Sequence, residues 1–366
     1  MTHPSGRSFR WAILGTGSVA RKFARDLQAM GSAVTLQTVA SRSLENARRF
    51  AAEFGAVEGA CDYETAARSE CDALYIATPA ALHEPHARLG IAAGKPVLVE
   101  KPLAPDAASA RRIAAAAAEA GVFCMEAMWT RFQPLPTRVR DELAAGLLGE
   151  LRGFDGQFMI ANRPEPGVSL FDPDQAGGAL LHRGIYPVSL AHFFLGPVAE
   201  VQAFGRLGET GVDEDSVVLL RHASGALSTL RASLRSNGRP GTRIYGTTGT
   251  LELEGPVWRP TRARLYRTTP GSAAPGAPRR LEALRESRMG LRLSGALGQL
   301  KRLAGRSVTT LHAPFEGNGY RHEAQALMQA VAAGETVEPR MTPQDSIAVL
   351  EIIDAAAADW TKGPRA

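Results

Sequence analysis

The sequence predicts an α/β protein: a doubly wound parallel sheet near the amino terminus, then a second α/β region with an open, mostly antiparallel sheet. Three observations carry this prediction. Short apolar runs alternate with helical stretches as far as residue 125. A glycine turn, Gly15-Thr16-Gly17-Ser18-Val19-Ala20, joins the first apolar run to the first helix. Beyond residue 150, strand-like runs succeed one another across short turns. Alternating strands and helices build right-handed βαβ units with helices on both faces of a parallel sheet. Strands without crossover helices pair antiparallel instead.

In order along the chain, strands are expected at 9–14, 34–40, 73–77, 97–99 and 122–125, with helices at 19–30, 44–54, 83–93 and 107–120. Gly55, Gly94 and Gly121 fall just past three of these helices, where a left-handed residue ends the last turn. The second region offers strands at 151–160, 198–206, 216–221, 226–233, 242–245 and 250–254, with Ser224-Gly225 and Asn237-Gly238 as turns. Helical patterns at 320–333 and 342–359 close the chain, the latter opening on Thr342 as N-cap and Pro343 at the first helical position. A boundary between Met125 and Pro136 divides the chain into a nucleotide-binding domain, 1–128, and a substrate and oligomerisation domain, 129–366.

Composition narrows the class. At roughly 100–200 residues per domain, 366 residues hold two domains. An apolar fraction of 45% with 22% charge is that of a soluble protein with a real core. No run approaches the ~18 apolar residues of a membrane span. The start, Met1-Thr-His-Pro-Ser-Gly-Arg-Ser, has no apolar signal core, and the three cysteines, Cys61, Cys71 and Cys124, form no C-x-x-C pair. A reduced, cytoplasmic setting is expected. The net charge of +5 is an uneven average: residues 259–310 hold twelve Arg or Lys against Glu282 and Glu286, a net of +10 that leaves −5 for the rest. Basicity confined to one segment, with 6% aromatic residues, argues against nucleic acid as a partner. Within that insertion, 268–278 reads as a loop. Leu281, Leu284, Leu291, Leu293, Leu297, Leu300 and Leu303 then trace a basic amphipathic helix, suited to a lid or surface arm, the alternative being contact with an anionic membrane, a nucleic acid or a partner.

The glycine turn carries the first chemistry. Gly15 permits the tight turn, Gly17 lets backbone N–H groups approach a pyrophosphate, and Ala20 keeps helix and strand close. The helix amino terminus then presents its positive end to the phosphates. The second strand ends in Ser41-Arg42 where a site for NAD normally offers a carboxylate. A hydroxyl and a guanidinium suit a 2′-phosphate, so NADP is expected and NAD is the alternative. Thr78, His83 and Lys101 follow apolar strands and so fall at the ligand edge of the sheet. A partly buried Lys there is a candidate acid/base for a hydroxyl under oxidation. His83-Glu84-Pro85-His86 lacks the spacing that brings two imidazoles to one zinc ion, so no metal is expected.

These segments, continued by Glu126-Ala-Met-Trp129-Thr-Arg131-Phe132, Gly177-Gly178-Ala-Leu-Leu-His182-Arg-Gly184-Ile-Tyr186-Pro187 and Gly317-Asn-Gly319-Tyr320-Arg321, resemble the Gfo/Idh/MocA oxidoreductase family. Within it, the likeness is to the dihydrodiol dehydrogenase and glucose–fructose oxidoreductase branch. The resemblance implies a Rossmann domain followed by an α/β domain whose open sheet mediates oligomer contacts, here a homodimer. It implies that Gly15, Thr16, Gly17, Ser18 and Val19 bind the pyrophosphate, and Ser41 and Arg42 the 2′-phosphate. Thr78, Pro79, His83 and Glu100 would surround the nicotinamide ribose. Lys101 matches the central Lys that binds the substrate hydroxyl, and Tyr186 the last position of the D-x-x-x-H/Y motif. Trp129, Arg131 and Tyr320 would lie near the cofactor. Two departures stand out: Ala80 where many members have Asn, and His182 in the Asp position of that motif. Positions 182 and 186 are one helical turn apart and share a face. An imidazole for a carboxylate lowers the pKa of Lys101 and offers His182 as a base or orienter.

The function expected is an NADP-dependent oxidoreductase moving a hydride between nicotinamide and a hydroxyl/carbonyl of a small polar substrate, a sugar, cyclitol or vicinal diol. The alternative is a catalytically silent NADP-binding sensor or regulatory protein.

Overall fold

The structure is a computed structural model that describes residues 7–165, 167–268 and 308–361. Six strands form the first sheet: β1 Phe9–Leu14, β2 Val34–Ala40, β3 Ala60–Cys61, β4 Ala73–Ile76, β5 Val97–Glu100 and β6 Cys124–Ala127. All its pairings are parallel, in the order β3-β2-β1-β4-β5-β6. Residues on both faces of the central strands are buried, as expected of a parallel sheet covered on each side. The covering helices are α1 Ser18–Gln28, α2 Leu44–Phe54, α3 Tyr63–Arg68, α4 His83–Ala92 and α5 Ala107–Ala120. Gly55, Gly94 and Gly121 adopt the left-handed conformation expected of them.

Eight strands form the second sheet: β7 Leu151–Met159, β8 Val198–Leu207, β9 Asp213–His222, β10 Leu227–Ser233, β11 Thr242–Gly246, β12 Gly249–Glu254, β13 Arg262–Arg267 and β14 Val308–His312. Their order is β14-β13-β12-β11-β7-β10-β9-β8, and only the central β7–β10 pair is parallel. Burial alternates along β9, β10 and β12, so one face is covered and the other is not. Among the described residues, the further helices are α6 Pro134–Ala144, α7 Ile185–Leu195, α8 Arg321–Ala332 and α9 Pro343–Thr361. Of these, α7 lies under β7, and α9 packs on β8 at one side and α5 at the other, tying the two sheets together. Thr342 and Asp345 close the start of α9 reciprocally: the Thr342 hydroxyl accepts from the Asp345 N–H at 3.0 Å and donates to its carboxylate at 2.7 Å.

The structure differs from expectation at several places, each with a cause. The sixth strand is Cys124–Ala127, displaced by two residues, because Gly121 and the turn after it carry the chain past Val122. The short β3 and α3 have no periodic signature. Within what reads as the basic insertion, Arg262–Arg267 is strand β13: Ala263 and Leu265 are buried, while Arg262 and Arg264 pair with Glu254 on β12. The seven leucines of the proposed arm lie outside the described residues.

Candidate active site

A cleft of about 650 Å³ opens at the carboxyl edge of the parallel sheet. Its floor is the turn from β1 to α1. Gly15 takes φ +108°, and a Cβ there would lie 2.4 Å from the Ala77 carbonyl oxygen, so only glycine passes between the two strand ends. Gly17 caps α1 without a side chain, leaving the first backbone N–H groups of the helix free of side-chain acceptors and facing the cleft. The cleft contains Gly15, Thr16, Gly17, Ser18, Val19, Ser41, Arg42, Thr78 and Pro79, nine of the residues expected to touch a dinucleotide. Among the described residues, no carboxylate lines it. Such a wall fits a ligand with several phosphates, including one at the ribose 2′ position.

Six further residues line the cleft without having been anticipated: Ser43, Asn46, Tyr63, Ala77, Ser169 and Gln175. Ser43 and Asn46 belong to the cap of α2, where the Asn46 N–H donates to Ser43 Oγ. Ser169 and Gln175 come from the other half of the chain. They sit in the 167–179 strap, whose two short turns are held by Asp172: its carboxylate accepts from the Asp174 N–H at 3.0 Å and Gln175 Nε2 at 2.6 Å. The strap ends in Ala176 at φ +59° and in Gly177, where a Cβ would lie within 2.7–2.8 Å of three backbone carbonyls.

Lys101 stands beside this cleft, at the end of β5. Its ammonium donates to the His182 carbonyl at 3.1 Å and lies 5.1 Å from the centre of the Tyr186 ring. Burial lowers the Lys101 pKa from its ordinary value, opposed by Glu100 and Glu126 nearby. Trp129 Nε1 donates to the Tyr186 hydroxyl at 3.2 Å. An indole N–H only donates, so the phenol accepts there and keeps its own proton for another partner. Burial raises the pKa of Tyr186, and the Trp129 bond opposes that shift. Tyr320 stacks on Trp129 with centres 4.8 Å apart and planes 7° from parallel.

His83 and Glu100, expected against the nicotinamide ribose, are both buried. The His83 ring nitrogens lie 2.7 Å from the Pro102 carbonyl and 2.8 Å from the Thr78 carbonyl, and burial pulls the ring down to about 4. The side chain thus joins the Thr78 loop to the Lys101-Pro102 turn. Glu100 accepts from the Tyr75 hydroxyl, and burial pushes its carboxyl up to about 7. Arg131 also turns away from the cleft. It donates to Ser189 Oγ at 2.8 Å and the Ser189 carbonyl at 3.0 Å, and lies 3.5 Å from Asp345. It donates to the Arg340 carbonyl at 3.1 Å as well, so the guanidinium braces α7, α9 and the turn that leads into α9.

His182 lies in a π-helical turn, Leu180–Gly184, that runs into α7. Asp213 caps this turn, accepting from the Leu180 N–H at 2.8 Å. Burial, with Lys101 next in effect, pushes the His182 ring down to about 3. The ring is therefore neutral at neutral pH and only weakly basic.

Two family models match the chain: an oxidoreductase family, NAD-binding Rossmann fold, over residues 9–128, and a GFO/IDH/MocA C-terminal domain over residues 137–252. The trans-1,2-dihydrobenzene-1,2-diol dehydrogenase of Mus musculus is 35% identical over 258 residues, covering 69% of this chain and 77% of that one. The D-xylose 1-dehydrogenase (NADP⁺) of Hypocrea jecorina is 30% identical over 313 residues, covering 75% and 80%. Among solved structures, a 3-ketoreductase from Actinomadura kijaniata in complex with NADP superposes with a TM-score of 0.77 at 26% identity, covering 96% of this chain and 98% of the other.

Proposed function

The chain belongs to the Gfo/Idh/MocA oxidoreductase family, and from that premise we propose that it is an NADP-dependent dehydrogenase or reductase acting on the CH–OH group, or the corresponding carbonyl, of a sugar, cyclitol or vicinal diol. When bound, the nicotinamide supplies the hydride acceptor or donor. The chain's own residues supply position and proton handling. The backbone of Gly15 to Val19 holds the pyrophosphate at the start of α1, and Ser41 and Arg42 hold the 2′-phosphate, with Ser43 and Asn46 beside them. Thr78 and Pro79 border the ribose, positioned from behind by His83. We assign 1–128 to cofactor binding and 129–366 to substrate binding and self-association.

The observation that carries this reading is the placement of Lys101: a buried-side ammonium beside a carboxylate-free cleft, 3.1 Å from a backbone carbonyl and over the face of Tyr186. During oxidation Lys101 Nζ, as the neutral amine, takes the substrate hydroxyl proton and becomes the ammonium. Tyr186, with one lone pair already occupied by Trp129, orients that oxygen through its own O–H. In the reverse direction the ammonium returns the proton to the new alkoxide oxygen. Glu100, through its bond to the Lys101 backbone N–H at 3.2 Å and its charge, positions the lysine.

The test is nicotinamide absorbance with purified protein against pools of sugars, cyclitols and diols, run beside Lys101→Met. NADP-linked turnover that falls at least a thousandfold in the variant, with NADPH still bound by fluorescence, is the expected result. Turnover that survives the substitution sinks the assignment.

A further inference from the structure

Among the described residues, the Lys101 ammonium has one hydrogen-bond acceptor, the His182 backbone carbonyl at 3.1 Å. Whatever fixes that carbonyl therefore fixes the amine. The carbonyl belongs to the π-helical turn Leu180–Gly184, a wide and rare conformation that needs support from outside the helix. Toward its carboxyl end, Pro187 has no N–H to return to the carbonyls one turn before it. Toward its amino end, the first N–H groups have no partner within the helix. The Leu180 N–H finds one in Asp213, whose carboxylate accepts it at 2.8 Å.

Asp213 is itself firmly placed. It opens β9, and Val212 before it packs with Phe171, Ala179, Ala232 and Leu234 in a small apolar cluster. Opposite, the chain passes at Gly178 with φ +122°, where a Cβ would lie 2.3 Å from Asp213 Oδ1, so only glycine leaves room for the carboxylate. The Gly178 carbonyl in turn accepts the His182 N–H at 3.2 Å. We propose that Asp213 is a positioning residue for the proton step: by capping the π-helical turn it holds the His182 carbonyl where the Lys101 ammonium meets it. This rests on the dehydrogenase reading and deepens it. Burial pushes the Asp213 carboxyl up to about 7, and the acid as well as the carboxylate keeps an oxygen lone pair for Leu180. Around Lys101, Glu100 and Glu126 favour the ammonium, Arg183 opposes it, and the neutral His182 ring and the Tyr186 ring complete its surroundings. Asp213 therefore reaches Lys101 through the turn.

The chain has five lysines, so carbon-13 labelling at Cε resolves Lys101 by NMR, its resonance identified as the one missing from Lys101→Met. The experiment titrates that resonance in the wild type, in Asp213→Ala, which removes the cap, and in Asp213→Asn, which removes the charge but keeps an acceptor oxygen. A carbonyl that bonds the ammonium favours the charged form, so its displacement in Asp213→Ala should lower the Lys101 midpoint by about one pH unit. The alkaline rise of NADP-linked oxidation should move down with it, and Asp213→Asn should return both to their wild-type positions. An unchanged midpoint in Asp213→Ala overturns the proposal. So does an equal shift in Asp213→Asn, which would make the charge, and not the cap, the cause. Amide hydrogen exchange in the wild type decides even where the alanine variant fails to fold: the Leu180 N–H is protected, or the proposal falls. If the wild type turns over no substrate, the dehydrogenase reading fails, while the Lys101 resonance still decides this proposal by itself.

Discussion

At the scale of single residues, the proposed mechanism turns on removing water from one amine. Burial makes Lys101 a weaker base than a lysine in solution, while Glu100 and Glu126 below it keep the cation from being expelled altogether. The sign of the resulting pH dependence follows. Oxidation needs the neutral amine, so its kcat rises as pH increases through the lowered Lys101 pKa. Reduction needs the ammonium and falls through the same pKa. Glu100→Gln removes a charge that raises that pKa, so both limbs should move to lower pH in stopped-flow or steady-state profiles. Limbs that stay in place would place the titration elsewhere. His182 shows the other use of burial: it keeps an imidazole neutral.

At the scale of elements, helix ends do most of the positioning, and one of them is closed from afar. Asp26, buried near the end of α1, accepts backbone N–H groups from Asn318 at 2.9 Å, Gly319 at 2.8 Å and Tyr320 at 2.8 Å, and so caps α8 from another helix. Gly319 at φ +106° has no room for a Cβ, which would lie 2.8 Å from Phe315 and 3.3 Å from Trp129. The cap holds Tyr320 on Trp129, and Trp129 on Tyr186. Asp26→Ala strands several buried N–H groups and should cost about 3 kcal/mol, since hydrogen bonds to a charged acceptor are each worth ~1.5–3 kcal/mol. A melting curve reads the loss of stability, and kcat should fall with it as Tyr186 loses its support. The sequence shows why some of this was legible and some was not. The Gly15–Val19 turn, the Ser41-Arg42 strand end and the Thr342 cap are local patterns, complete within a few residues. The Asp26 cap joins positions almost 300 residues apart and has no local mark. Arg131 misleads for the same reason: its segment lies beside the cleft, but its partners Ser189 and Asp345 sit on distant helices. Strand β13 hides because two of its outward positions, Arg262 and Arg264, are arginine, so its period-2 pattern reads as charge.

At the scale of the whole molecule, the two sheets differ in what they leave uncovered. The parallel sheet is enclosed by helices. The second sheet is covered on one face by α7 and α9, while its other face presents Phe204, Leu219 and Leu227 to solvent. Apolar side chains of that size on an otherwise regular sheet support the reading of self-association through this face. The helices give the molecule its continuity, since Ala107 at the start of α5 donates to Asp354 on α9 at 2.9 Å. The cleft adds a second, conditional link. Its walls include Ser169 and Gln175, delivered by the strap from the half of the chain that carries the second sheet. A dinucleotide seated there is a removable rivet between the halves, with consequences for how the protein fails. Saturating NADP at a hundredfold excess over its Kd adds about 2.7 kcal/mol to the folded state. Part of that gain should appear as slowed amide hydrogen exchange in 167–179, far along the chain from the glycine turn. Protection confined to the first sheet would show that the strap does not feel the cofactor. Protection of both means that the pool of nucleotide in solution sets how long the substrate-side strap stays closed to water and to proteases.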